Sequence, residues 1–149
     1  MKRRIVPDIV PRQEVTTMAA TATVQDAAEM MAGRRIGAVV ISGGRGVDGI
    51  VTERDVLTRV VAKQLDPKAT PLSAVMTKNP DTVSPDSSAA DALQKMATHG
   101  YRHLPVVEDG SLVAMVSIRD LYAAVTEQLE AELESRDAFM FGEGYGVSA

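Results

Sequence analysis

Displacing the 149-residue chain by 65 positions lays it on itself without a gap, and no other feature of the sequence constrains the fold as strongly. Val10 falls on Val75, Thr17 on Thr82, Asp26-Ala27 on Asp91-Ala92 and Met31-Ala32 on Met96-Ala97. Val51 falls on Val116, Arg54-Asp55 on Arg119-Asp120 and Val60 on Val125. Conservative pairs fill the spaces between them: Thr23/Ser88, Ile36/Tyr101, Ile41/Val106, Thr52/Ser117 and Val56/Leu121. An Ala/Val-rich composition gives scattered apolar coincidences, but it does not match hydroxyl and Arg-Asp positions. The chain is a duplicated unit, and its halves are expected to pack as a pseudo-twofold pair.

Each unit reads β-α-β-β-α, which makes the fold class α/β (α+β). A short strand is expected near Val15–Thr17 and again at Thr82–Val83. A helix follows, opened by Thr23-Val24-Gln25-Asp26 and Ser88-Ala89-Ala90-Asp91. Both openings place a carboxylate three residues after a hydroxyl N-cap, close to a capping box. Two β runs come next: Ala38–Ile41 with Gly49–Val51, and Leu104–Val107 with Leu112–Val116. Glycine-containing turns join them, Ser42–Gly46 and Glu108-Asp109-Gly110. The Gly43-Gly44 loop joins two strands and opens no helix, so it reads as a turn and not as a phosphate cradle. The expected boundaries are 5–64 for the first repeat, 65–78 for a linker, 79–128 for the second repeat and 129–149 for a helix end and tail.

Composition narrows the function. Only 3% of residues are aromatic and none is Trp, so the core must be aliphatic and Met-filled. The absence of Cys excludes disulfides, thiolate nucleophiles and thiolate metal sites, and two His make a transition-metal site unexpected. The net charge of −4 is uneven, because residues 127–149 hold six carboxylates against Arg136 and the rest is near neutral. A neutral body with few aromatics lacks the basic stripe and stacking platforms of a nucleic-acid binder. No apolar run is long enough for a membrane span, and no apolar h-region follows Met1-Lys2-Arg3-Arg4, so a cytoplasmic location is expected.

The chemistry would sit where the third strand of each unit enters its second helix, at Gly49-Ile50-Val51-Thr52-Glu53-Arg54-Asp55 and Ala114-Met115-Val116-Ser117-Ile118-Arg119-Asp120. Unpaired N–H groups at a helix start suit a phosphate, a hydroxyl can donate to an oxygen, and a carboxylate can accept both hydroxyls of a ribose. The same Thr-x-x-Asp and Ser-x-x-Asp spacings are capping patterns that need no ligand, so spacing alone leaves both readings open. There is no Walker sequence and no nucleophile-base-acid set, and no enzyme activity is expected.

These motifs, the 65-residue repeat and the strand Arg102-His103-Leu104-Pro105-Val106-Val107 resemble CBS (cystathionine-β-synthase) domains, in the tandem arrangement called a Bateman module. The resemblance spans roughly residues 5–128. It implies that Asp55 and Asp120 hold a ribose, that Thr52 and Ser117 lie near phosphate, and that the first-strand hydroxyls Thr17 and Thr82 line the cleft. It further implies that Arg102 and His103 reach phosphate, where repeat one has Gly37-Ala38. On this likeness the ligand is an adenine nucleotide (AMP, ADP or ATP) or NAD. The chain would act as an energy or redox sensor on a protein target that the sequence does not identify, with no catalytic cofactor. A ligand-free interaction module is the alternative.

From about Ser117 to Arg136 the sequence reads as one helix, with Leu121, Val125, Leu129 and Leu133 four apart on one face. Phe139, Phe141 and Tyr145 beyond it are three of only five aromatics. The stripe and this tail, together with the resemblance, lead to the expectation of a homodimer.

Overall fold

The computed structural model describes residues 3–141, with side chains as far as Ala138. The first repeat contains β1 (Thr17–Met18), α1 (Val24–Arg34), β2 (Ala38–Ile41), β3 (Gly49–Thr52) and α2 (Glu53–Val56), which runs on into a wider helical turn at Leu57–Val61. The second contains β4 (Thr77–Lys78), α3 (Ala89–His99), β5 (His103–Glu108), β6 (Ser111–Ser117) and α4 (Ile118–Phe141). The helix starts follow their capping chemistry. Thr23 Oγ1 accepts from Asp26 N while Asp26 accepts from Thr23 N, and Ser88 Oγ accepts from Asp91 N. The two helices end at equivalent positions of the repeat, on the left-handed caps Arg35 and Gly100.

The expected symmetry appears in the register itself. In the antiparallel β2–β3 pair, Ala38, Val39, Val40 and Ile41 face Thr52, Val51, Ile50 and Gly49. In β5–β6, His103, Leu104, Pro105 and Val106 face Ser117, Val116, Met115 and Ala114. Every one of these pairs is its counterpart moved by 65. The β5–β6 turn, Asp109-Gly110, has positive φ at both residues (50° and 78°), the two-residue hairpin geometry that Asp-Gly favours.

One strand departs from the expected pattern. The first strand of repeat two shrinks to a single parallel bridge, Val83 to Val106, whereas β1 pairs with β2 at two positions. Pro105 explains this. Its counterpart Val40 donates its N–H to Thr16 O at 3.1 Å, and a proline has no N–H to give.

Residues 65–78, expected as a linker, also carry packed structure. Leu72 and Val75 lie in the core of repeat one with Val24, Met31, Ile41, Val51 and Val60. Ile5, Val6 and Val10 lie in the core of repeat two with Met96, Leu104, Val116 and Leu121. Each repeat therefore lends its leading segment to the other. β4 extends the repeat-one sheet beyond β3, and Gln13 N donates to Val113 O at 3.0 Å beside β6. Val10 and Val75, equivalent in sequence, fill equivalent places in opposite cores.

The long helix is present but its stripe is only half used. Leu121 is fully buried, while Leu129 and Leu133 are 54% and 56% exposed. The aromatic tail side chains, from Phe139 onward, lie outside the described residues. No helix among the described residues is long and apolar enough to cross a membrane.

Candidate functional site

The strand-to-helix junctions open onto two clefts that the repeat relates to each other. The larger, about 930 Å³, has Ser117, Arg119 and Asp120 on one wall and Ile36, Gly37 and Ala38 of the other repeat facing them. The smaller, about 760 Å³, has Thr52, Arg54 and Asp55 facing Tyr101, Arg102 and His103. Each cleft is thus composite, with the motif of one repeat set against the helix end and second strand of the other.

At the Asp120 junction, Oδ2 accepts from Ser117 N and Ser117 Oγ, both at 2.9 Å, while Asp120 N donates to Ser117 Oγ at 3.2 Å. At the Asp55 junction, Oδ2 accepts from Thr52 N at 2.9 Å and Asp55 N donates to Thr52 Oγ1 at 3.2 Å. The capping reading of these motifs therefore holds, but it engages only one carboxylate oxygen. Oδ1 of Asp120 has no partner among the described residues, which leaves it able to accept from a ligand hydroxyl while the cap stays intact.

Arg102 and His103 line both clefts, as does Glu53. His103 pairs with Ser117 across the β5–β6 hairpin. A Cβ at Gly37 would lie 3.2 Å from His103 Cε1 and 3.3 Å from its Nε2, so the ring packs into space that the missing side chain leaves. Its Nδ1 is buried without a hydrogen-bond partner. Burial lowers the proton affinity of this imidazole and Arg102 adds to the effect, against the opposing pull of Glu53 and Asp120. The native state therefore holds fewer protons here than the unfolded chain, and stability must fall as pH drops through the ordinary value of 6.5. The stability advantage of wild type over His103→Gln is expected to shrink as pH falls from about 7.5 to about 5.5. Urea denaturation at several pH values measures it, and an advantage that stays flat would contradict the imidazole's role.

The other expected residues are placed as follows. Thr17 is exposed on β1 and Thr82 is half-buried beside Val83, and neither lines either cleft; Val15 and Asp81 of the same segments do. Arg54 and Arg119 are solvent-exposed at the cleft rims. In the Asp55 cleft Tyr101 stacks on His99, with ring centroids 5.3 Å apart, and His99 Nε2 lies 3.7 Å from Asp81. Partial burial and the Asp81 carboxylate hold the Tyr101 hydroxyl above its ordinary proton affinity. Sequence reasoning missed Arg35 and Arg59, which line the larger and smaller cleft. Arg59 was detectable, since it stands four residues after Asp55 on a helix. The Gly43-Gly44 turn binds its own chain, with Gly43 N donating to Asp48 Oδ2 at 2.9 Å.

Comparison with known proteins agrees with this geometry. A family model for the CBS domain matches twice, over residues 6–62 and 72–127. A CBS domain-containing protein of Arabidopsis thaliana is 46% identical over 111 residues, covering 73% of this chain and 21% of that protein. The chain spans about a fifth of the length of this relative and of four others from the same plant. Among solved structures, a protein with CBS domains from Burkholderia ambifaria is 37% identical with a TM-score of 0.72, over 76% of this chain and 83% of that one. A CBS domain protein from Pyrobaculum aerophilum, complexed with AMP, is 33% identical with a TM-score of 0.68, over 73% and 84%. One match on each repeat, on a fold whose hairpin registers repeat at an offset of 65, shows that the chain belongs to the CBS domain family as a tandem pair.

Proposed function

We propose that this tandem pair is a regulatory module that binds an adenine nucleotide between its repeats and signals its occupancy to a partner protein, without catalysing a reaction. The observation that carries the reading is the Asp120 junction. There, a carboxylate whose one oxygen is spent on capping the helix keeps its other oxygen uncommitted, in a cleft that Arg102 and His103 also line. The carboxylate suits a ribose diol, and the Arg102 guanidinium suits phosphate. The AMP-bound relative supports the ligand class, with AMP, ADP, ATP and NAD as the candidates. The same reading takes the protein to be cytoplasmic.

Titrating AMP, ATP and NAD against thermal unfolding tests it. A ligand that binds only the native state at 100 times its Kd stabilises by about 2.7 kcal/mol. Asp120→Asn keeps an oxygen for the cap but loses the charge, and is expected to weaken binding by ~1.5–3 kcal/mol, roughly ten- to over a hundred-fold. If none of the three ligands stabilises wild type at about millimolar concentration, the sensing role fails.

A second reading, an interaction module with empty clefts, is favoured by the exposed Tyr122, Leu129 and Leu133 of α4. That surface also motivates the homodimer. Light scattering at micromolar concentration checks it, and a monomeric mass would remove the dimer.

A further inference from the structure

The repeat makes Asp55 and Asp120 equivalent, yet their surroundings differ in one respect that bears on binding. Asp55 Oδ1 lies 3.5 Å from Arg59 Nε, and the Asp55 side chain is only 15% exposed. Arg59 is itself tethered, with Nη1 donating to the carbonyl of core residue Val75 at 2.8 Å. Both oxygens of Asp55 are therefore engaged within the chain, Oδ2 by the Thr52 N–H and Oδ1 by the guanidinium. Moving Arg59 by 65 gives Ala124, a buried residue with no side chain to offer. Asp120 Oδ1 is left without an internal partner among the described residues. The cleft linings differ in the same direction. The Asp120 cleft sets Arg35, Arg102 and Arg119 against two carboxylates, whereas in the Asp55 cleft three arginines face three carboxylates.

We infer that the two clefts are unequal by construction, with Asp120 forming the nucleotide site and Arg59 acting as a built-in competitor that occupies the ribose-binding carboxylate of the other. The inference rests on the nucleotide reading above and deepens it. A diol approaching Asp55 competes with a guanidinium ion pair, whereas a diol approaching Asp120 meets an oxygen with no partner among the described residues. The larger cleft also carries the excess of positive charge that a phosphate needs. Arg59 acts through its ion pair with Asp55. It sets which cleft is used, and its removal should create a site instead of destroying one, which a purely structural residue would not do.

The test is isothermal calorimetry with AMP on the full chain. Wild type is expected to bind one AMP per chain, with any second site weaker by about tenfold or more. Asp120→Asn should weaken the tight site by roughly ten- to over a hundred-fold. Arg59→Ala should raise the stoichiometry to two, and Arg59→Gln should do the same while keeping a donor for the Val75 carbonyl. Adding Asp55→Asn to Arg59→Gln should abolish the gained site. Two equal sites in wild type, or one site in folded Arg59 variants, would overturn the inference while leaving nucleotide binding in place. If both Arg59 variants unfold, the inequality of the clefts is still open to refutation: two equal sites in wild type, or a tight site that survives Asp120→Asn, would overturn it. No binding by wild type or by any variant would instead overturn the nucleotide reading, and this inference with it.

Discussion

Leu72→Ala is expected to destabilise the protein by about 2–5 kcal/mol, although the residue lies in a segment that reads as a linker. Its side chain is fully buried in the core of repeat one, and its backbone N–H donates to Ala22 O at 2.8 Å. Truncation removes apolar contacts from a site that neighbouring β2, β3 and α1 hold rigid, so the cavity collapses only in part. Ile5→Ala should cost a similar amount, because Ile5 is fully buried in the core of repeat two and its N–H donates to Ser87 O at 2.9 Å. The two changes act on opposite cores through the same exchange of leading segments. Urea denaturation with a two-state fit measures both. A loss below about 1 kcal/mol for either would mean that its segment is a tether and not part of the core.

Gly49→Val is expected to cost about 3 kcal/mol, and Gly49→Ala less, toward the lower end of the ~1–3 kcal/mol typical of overpacking. A Cβ at Gly49 would stand 2.6 Å from Met76 Sδ and 3.1 Å from the carbonyl oxygen of Thr77. Met76 can swing away, being long and flexible, but Thr77 O belongs to β4, which is paired with Gly49 and Ile50 of β3. The glycine is therefore required by the strand that repeat two lends to this sheet. At the equivalent position repeat two has Ala114, which is buried and accommodated. Equal stability of wild type and Gly49→Val would show that β4 is not held against β3. Moving the Met76 side chain alone would rescue only the alanine, so Gly49→Ala with Met76→Ala should recover most of the smaller loss.

Much of the fold was legible because its determinants are local. Capping residues Thr23 and Ser88, the Asp109-Gly110 turn and the alternation of apolar runs are each read within a few residues. The repeat then multiplied every local signal by two and supplied the symmetry that the register confirms. The exception within the elements was also local in origin, since Pro105 removes a donor where Val40 has one. The lining of the clefts was legible only in part. Asp55, Asp120, Thr52 and Ser117 could be placed there because their motif is contiguous, and Arg102 and His103 because they adjoin a strand that carries the family resemblance.

By itself, the sequence determined the duplicated β-α-β-β-α unit, the aliphatic character of its cores and the position of each strand-to-helix junction. All of these follow from periodicity, caps and turns acting over a few residues. The tertiary structure decided which repeat each leading segment completes, why Leu72 and Ile5 are core residues, and which walls face one another across each cleft. It also decided that Arg102 and His103 serve both clefts, that Thr17 and Thr82 line neither, and that Arg59 claims Asp55 while Ala124 leaves Asp120 open. The physical reason is that these outcomes depend on contacts between residues on different elements, set by how two sheets meet across a pseudo-twofold. A repeat makes two halves of a sequence equivalent. Only the packing of one half against the other shows where a single replaced side chain leaves one motif carboxylate paired and the other not.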